Sequence, residues 1–168
     1  MKPWMHGVVY QTTWFITVLL GNLWSLLWAI PLAASVIYRQ RPQGLTFILL
    51  VTVIGYLVDM SLQAAGLVSF HGNTLLGPVW LLVLWLGFAN VIWHLLYRIP
   101  FWWLQAALGA VSGPLSYYSG AVLGAAEPLS TAGIVAFAIW WAIGFPAFIA
   151  FRHWWARNIM TTGSATQS

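Results

Sequence analysis

The position of the basic residues constrains this sequence most, because every Lys and Arg lies at an end of an apolar run. The first run, residues 4–38, would form one helix of ~50 Å, whereas the hydrocarbon core of a bilayer is ~30 Å thick. We therefore expect this run to split at Gly21-Asn22 into two short helices. Four further apolar segments follow, at residues 45–70, 77–97, 101–124 and 130–151.

The basic residues also predict an orientation. With six spans and a cytoplasmic N-terminus, all of them face the cytoplasm and the outer turns have none, as the positive-inside rule requires. They are Lys2, Arg39, Arg41, Arg98, Arg152 and Arg157. Five spans would leave Lys2 alone outside, so six are preferred. The predicted fold class is an all-α polytopic transmembrane helical bundle, with residues 1–157 as one domain and residues 158–168 as a disordered polar tail.

Composition excludes several classes of protein. Hydrophobic residues make up 61% of the chain and charged residues 5%, a mixture that water cannot solvate, and we expect membrane lipids as partners. The basic residues form no continuous patch, so nucleic acid is not expected as a partner. The absence of Cys excludes disulfides and thiolate metal sites. No set of His and acidic residues is placed to hold a metal, and no cofactor is expected.

Asp59 lies near the middle of an apolar segment, where an unpaired charge is costly and often functional. A rise of ~1.5 Å per residue puts Asp59 ~21 Å from the cytoplasmic start of its helix. Asn22, Ser112 and Ser116 fall at ~24, ~18 and ~24 Å on their helices, so the four residues share one predicted layer. The alternative is a structural role, in which the Asp59 carboxyl joins helices by hydrogen bonds.

Two helix faces are expected to look inward onto this layer. One contains Thr52, Tyr56, Asp59 and Gln63, at helical spacings of four, three and four. The other is a stripe of small and polar residues, namely Gln105, Gly109, Ser112, Ser116 and Ser119.

Glycines and a proline mark the segment 101–124. Gly109 to Gly113 and Gly120 to Gly124 fit the spacing of close helix packing, and they are the face on which a homodimer or a partner membrane protein would dock. Pro114 removes a backbone donor, so we expect a kink or break at residues 112–114, level with Asp59.

Asn90 and His94 lie one helical turn apart on one face. His94 is predicted ~6 Å from the cytoplasmic end and ~15 Å from the level of Asp59, so we do not expect a direct Asp-His dyad. Asn90 at ~12 Å and Tyr56 at ~17 Å would bridge this gap in a polar track from the cytoplasm to Asp59.

The string GAVSGPLSYYSGAVLGA at residues 109–125 resembles the signature of a small bacterial inner-membrane family, domain-of-unknown-function family 2878. GYLVD at residues 55–59, PVWL at 78–81 and FA at 88–89 agree with it in the same order. The resemblance covers about residues 8–151 and implies a multi-pass protein of the bacterial inner membrane, without an assigned activity. The matched positions that it implies are Asp59, His94, Gly113, Pro114, Ser116 and Tyr117.

The leading hypothesis is a membrane-embedded site that binds or modifies a lipid or other apolar molecule. Asp59 would be acid, base or hydrogen-bond anchor, and Ser116 and Tyr117 would orient the substrate, so these three are the candidate catalytic residues. The candidate substrate-binding residues are Asn22, Tyr56, Gln63, Asn90, His94, Ser112 and Pro114. A proton-coupled or solute transporter and a non-catalytic subunit of a membrane complex are the alternatives, and whether the protein is an enzyme stays open.

Overall fold

The computed structural model describes residues 2–40, 42–74 and 77–159. Its helices are α1 (Pro3–Arg39), α2 (Pro42–Ala64), α3 (Val79–His94), α4 (Trp102–Val122) and α5 (Thr131–Asn158). Two short antiparallel strands, β1 (Asn73–Thr74) and β2 (Gly77–Pro78), lie between α2 and α3, and a 3-10 helix, Leu96–Arg98, follows α3. The predicted all-α class is therefore confirmed. The calls on Arg41 and on the tail from residue 160 lie outside the described residues.

The segment α1 consists of two helices that meet at Gly21. Gly21 has φ 68° and ψ −159°, a backbone conformation that is almost confined to glycine. The Trp28 indole Nε1 donates a hydrogen bond to Thr13 Oγ1 at 2.9 Å, although these residues would lie ~22 Å apart along a straight helix. Residues 3–20 and 22–39 therefore lie side by side, and the predicted split at Gly21-Asn22 is confirmed.

Contacts between helix ends define one end of the bundle. The His6 and His94 rings stack with centroids 3.7 Å apart, and Gln40 Nε2 lies 2.8 Å from His94 Nε2. Trp155 Nε1 donates to the Gln43 carbonyl oxygen at 2.9 Å. Both ends of α1, the start of α2 and the ends of α3 and α5 thus meet here. We call it the basic end, because Lys2, Arg98, Arg152 and Arg157 lie at it.

The turns meet at the opposite end. Asn22 Nδ2 donates to the Gly72 carbonyl oxygen at 2.7 Å, and Asn22 Oδ1 accepts from the Trp80 backbone N–H at 3.1 Å. A β-bridge joins Phe70 to Ala126. The bend of α1, the α2–α3 loop and the α4–α5 loop are therefore fastened together.

The outer surface of the bundle is apolar. Leu23 and Ile30, for example, are 66% and 68% exposed, and a large surface of this kind suits lipid better than water. Among the described residues, four segments are long and apolar enough to cross a membrane: Pro3–Tyr38, Pro42–Ala64, Val79–Arg98 and Thr131–Asn158. This number is lower than the six predicted spans, because α1 holds two of the predicted segments and α4 bears the polar stripe.

An exposed hydrogen-bonded pair links the two loops opposite the basic end. His71 Nδ1 donates to the Gly124 carbonyl oxygen, and His71 Nε2 lies next to Glu127 Oε1, both at 2.9 Å. The hydrogen bond with Glu127, and then the one with Gly124, raises the pKa of His71 above its ordinary value.

We predict that Glu127→Gln lowers the pKa of His71. The interaction stabilises the fold fully below the ordinary histidine pKa of about 6.5, and this stabilisation is lost as the pH rises through the higher pKa of the folded state. An NMR titration of the His71 imidazole in detergent micelles measures the difference. Identical titration curves for wild type and variant would contradict the assignment.

Candidate functional site

Asp59 is completely buried, with 0% of its surface exposed, and its carboxyl group accepts hydrogen bonds from two other helices. The Tyr117 hydroxyl lies 2.8 Å from Oδ1 and 2.7 Å from Oδ2, and it donates to the carboxyl. Trp85 Nε1 donates to Oδ2 at 2.7 Å. These bonds compensate the loss of hydration that burial of a carboxyl group costs. One side chain of α2 thus joins α3 and α4.

Gly55 explains how Trp85 reaches Asp59. Gly55 precedes Asp59 by one helical turn and lies on the same face of α2. A Cβ atom at position 55 would overlap the Trp85 ring. The missing side chain therefore lets the indole lie flat against α2, with its N–H directed to the carboxyl group.

Trp85 in turn stacks on Trp141 of α5, with centroids 5.5 Å apart and an angle of 3° between the ring planes. Trp141 lies against α4, where a Cβ atom at Gly109 or Gly113 would overlap its backbone or its side chain. The close packing that the sequence predicts for this glycine pair is confirmed, and its partner is α5 of the same chain.

A small cavity of about 40 Å³ lies beside this stack. Tyr117, Trp85 and Trp141 form part of its wall, together with Tyr10 and Ser116. This volume is large enough for a water molecule or a comparably small chemical group.

A larger, open cleft of about 480 Å³ adjoins the cavity. The two spaces share the lining residues Tyr10, Trp14, Phe88, Ser116 and Trp141. Trp14 Nε1 donates to Ser116 Oγ at 2.8 Å, and no described residue accepts a hydrogen bond from the Ser116 hydroxyl. The cleft volume falls within the usual range for small-molecule sites, ~300–1,000 Å³. Asp59 lines neither space but lies behind Tyr117 and Trp85.

Four of the predicted site residues therefore lie in or next to one place: Asp59 and Tyr117 in contact, Ser116 on the shared wall, and Ser112 in the cleft. The Ser112 hydroxyl also donates to the Leu108 carbonyl oxygen at 2.7 Å.

Of the kink or break predicted at residues 112–114, the break is wrong, because α4 runs without interruption from Trp102 to Val122. The kink stays a prediction. Pro114 is a buried residue of this helix, and it lines neither the cavity nor the cleft. The packing of Gly109 and Gly113 against α5 supports the backbone around it.

Asn22 does not share the level of Asp59, contrary to the prediction. Asn22 directly follows the bend at Gly21, and its amide binds the loop opposite the basic end. Gln63 also binds the loop at this end, since its Oε1 accepts a hydrogen bond from the Phe70 backbone N–H at 3.0 Å. The first helix ends at Gly21 as predicted, but this bend lies at the end of the bundle, so Asn22 lies there as well.

The predicted polar track from Asn90 through Tyr56 to Asp59 is also wrong. The Tyr56 hydroxyl lies beside Gly77, at the end opposite His94. Asn90 Nδ2 lies 3.4 Å from His6 Nδ1, and the Asn90 carbonyl oxygen accepts from His94 Nδ1 at 3.1 Å. Both residues thus belong to a cluster at the basic end, and neither lines the cavity or the cleft.

Four residues of the site were not predicted from the sequence: Tyr10, Trp14, Trp85 and Trp141. The available signal was Gly55 on the face of Asp59, since a glycine beside a buried polar group leaves room for a large ring. Within residues 2–40, 42–74 and 77–159, no group of three His, Asp or Glu residues is placed to hold a metal ion.

We predict that Gly55→Ala destabilises the protein by ~1–3 kcal/mol, because the added methyl group overlaps the Trp85 ring. Denaturant unfolding in detergent micelles measures the change. Gly120→Ala is the matched control, since its Cβ would meet only Ala125, at an ordinary 4.0 Å. Equal stability of Gly55→Ala and wild type would contradict the role of Gly55.

No curated protein and no solved structure matches the chain. A family described as "Protein of unknown function (DUF2878)" matches residues 3–147, a range that includes Asp59, Ser116 and Tyr117. The resemblance of the motif at residues 109–125 is thereby confirmed, and the chain belongs to the DUF2878 family.

Proposed function

We propose that this protein binds or modifies a lipid or other apolar molecule in the cleft, with Tyr117 as the group that meets the ligand's polar part. One observation supports this most. An open cleft of about 480 Å³ ends at a cavity whose wall contains Tyr117, hydrogen-bonded to the buried Asp59.

The lining of the cleft favours a mainly apolar ligand. Phe88, Leu108 and Phe145 supply apolar surface, and Ser112 and Ser116 supply hydroxyl groups along one side. A molecule with a hydrocarbon part and one small polar group matches this distribution. The hydroxyl of Ser116 would donate a hydrogen bond to that polar group.

Tyr117 and Asp59 have different roles in this proposal. The Tyr117 ring stacks on Phe137 with centroids 3.7 Å apart, so its hydroxyl is held in place. Asp59 touches the hydroxyl but lines neither space, and we assign it the role of a positioning residue. If the ligand is modified, Tyr117 would accept a proton from the ligand while it passes its own phenolic proton to Asp59.

For the membrane arrangement, we propose six spans in a bacterial inner membrane, with both termini cytoplasmic. Two contacts support this count: the Trp28–Thr13 hydrogen bond between the halves of α1, and the stacking of His6 on His94. They fit a chain whose turns alternate between two ends. The grouping of Arg98, Arg152 and Arg157 at one end supports the orientation.

The alternatives have less support. A transport pathway was expected to use a break near Pro114, and α4 is continuous there. A docking face for a homodimer or a partner membrane protein was expected at both glycine pairs, but α5 covers Gly109 and Gly113. Docking through Gly120 and Gly124 remains a proposal.

We predict that Ser112→Leu reduces the amount of apolar ligand that co-purifies with the protein, because the larger side chain fills the cleft. Mass spectrometry of solvent extracts compares the variant with wild type. Val111→Leu is the control, since Val111 is exposed and lines neither space. A wild-type extract without a specific ligand, or an unchanged ligand in Ser112→Leu, would refute the binding proposal.

We predict that Asp59→Asn and Tyr117→Phe both lose the ligand or its conversion while the fold persists. In Asp59→Asn, an amide NH₂ replaces one carboxyl oxygen and faces a group that donated a hydrogen bond to that oxygen, either Trp85 Nε1 or the Tyr117 hydroxyl. We expect this change to cost ~1–3 kcal/mol in stability. Circular dichroism checks the fold and the same extraction assay checks the ligand. Normal ligand retention in Tyr117→Phe would show that the phenol does not contact the ligand.

A further inference from the structure

The basic end has no acidic side chain to balance its charge. The chain contains six Lys and Arg but only two Asp and Glu residues. Asp59 is buried inside the bundle, and Glu127 pairs with His71 at the opposite end. Neutralisation of the cations at the basic end must therefore come from anions outside these side chains.

Arg98 is the cation at this end that is best placed to bind such an anion. It is exposed, and its guanidinium carbon lies 5.5 Å from the Tyr97 ring centroid. The guanidinium group donates no hydrogen bond to any residue of the described part of the chain. The Arg152 guanidinium lies over the same ring, at 3.7 Å, and over the Trp93 ring, at 4.8 Å. The guanidinium groups of Arg98 and Arg152 thus both lie close to the Tyr97 ring.

An apolar groove of about 870 Å³ begins at Arg98, between the start of α4 and α5. His153 lies near Arg98, and Ile143, Ala147 and Ala150 continue the wall along α5. From His153 to Ile143 the helix rises ~15 Å, which leads from the cationic group towards the middle of the bundle. The groove therefore combines a cation at one end with an apolar wall below it.

We propose that this groove binds an anionic phospholipid, with the phosphate on Arg98 and one acyl chain along α5. A guanidinium group can bind two phosphate oxygens at once, which suits it to this contact. A soluble anion would leave the apolar wall unused. A lipid without net charge would not balance the positive charge of this end, whereas basic residues near a membrane surface attract anionic lipids.

This site is separate from the proposed ligand cleft. Ile99 is the one residue that lines both the groove and the cleft, and neither Tyr117 nor Ser116 lines the groove. The lipid site therefore requires only that α5 lies in the membrane, and it does not depend on the function proposed for the cleft.

The test uses the full chain in a neutral detergent. The protein is titrated with dioleoyl phosphatidylglycerol or with dioleoyl phosphatidylcholine, and native mass spectrometry counts the bound lipids. Wild type should bind one phosphatidylglycerol more tightly than phosphatidylcholine. Arg98→Gln should weaken phosphatidylglycerol binding about fivefold, which corresponds to ~1 kcal/mol for one basic residue. Phosphatidylcholine binding should not change.

Three variants make the result specific. Arg157→Gln removes a charge from the same end but outside the groove, so it should bind phosphatidylglycerol like wild type. Ala147→Trp should fill the groove and weaken binding with Arg98 intact. Ser112→Leu should block the cleft without affecting this lipid. Equal binding of the two lipids, or equal weakening by Arg98→Gln and Arg157→Gln, would overturn the proposal.

Discussion

The interaction on which the rest of this structure depends is the hydrogen bonding of the Asp59 carboxyl group. Water does not solvate a carboxyl group that is buried in an apolar bundle, so the protein itself must supply hydrogen-bond donors. Trp85 and Tyr117 supply them from two different helices. Because each bond has a defined length and direction, α2, α3 and α4 cannot slide past one another without breaking a buried contact. The acid thus sets the register of the helices.

The aromatic stack transmits this arrangement to the wall of the cleft. Trp85 is held on one side by Gly55 and Asp59, and it stacks on Trp141, which lies in the space left by Gly113. The ring pair therefore spans the bundle from α2 to α4. Gly55 on one side and Gly113 on the other leave room for the two rings, so the shape of the cavity depends on both glycines.

Sequence reasoning singled out Asp59 and Ser116 because polar residues in apolar helices stand out and helical spacing gives their faces. Tyr117 came from the resemblance of residues 109–125 to the family signature. Sequence reasoning also located the bend at Gly21, since a run of this length exceeds the bilayer thickness. It could not find the Trp85–Trp141 stack, because periodicity shows which face of a helix is buried but not which helix covers it. The misplacement of Tyr56 has the same origin: its level along α2 was calculated, but not the direction of its side chain. The error at Pro114 came from treating a missing N–H as decisive, whereas packing against α5 keeps the helix intact.

The single-residue bend at Gly21 has a consequence for biogenesis. A conventional helical hairpin must carry a hydrophilic loop through the lipid before its second half can settle. Here residues 3–20 and 22–39 are joined by one glycine, and Asn22 is the first polar side chain after it. In the six-span arrangement proposed above, little polar material would have to cross the lipid, so the two halves would enter the bilayer as a pair during synthesis.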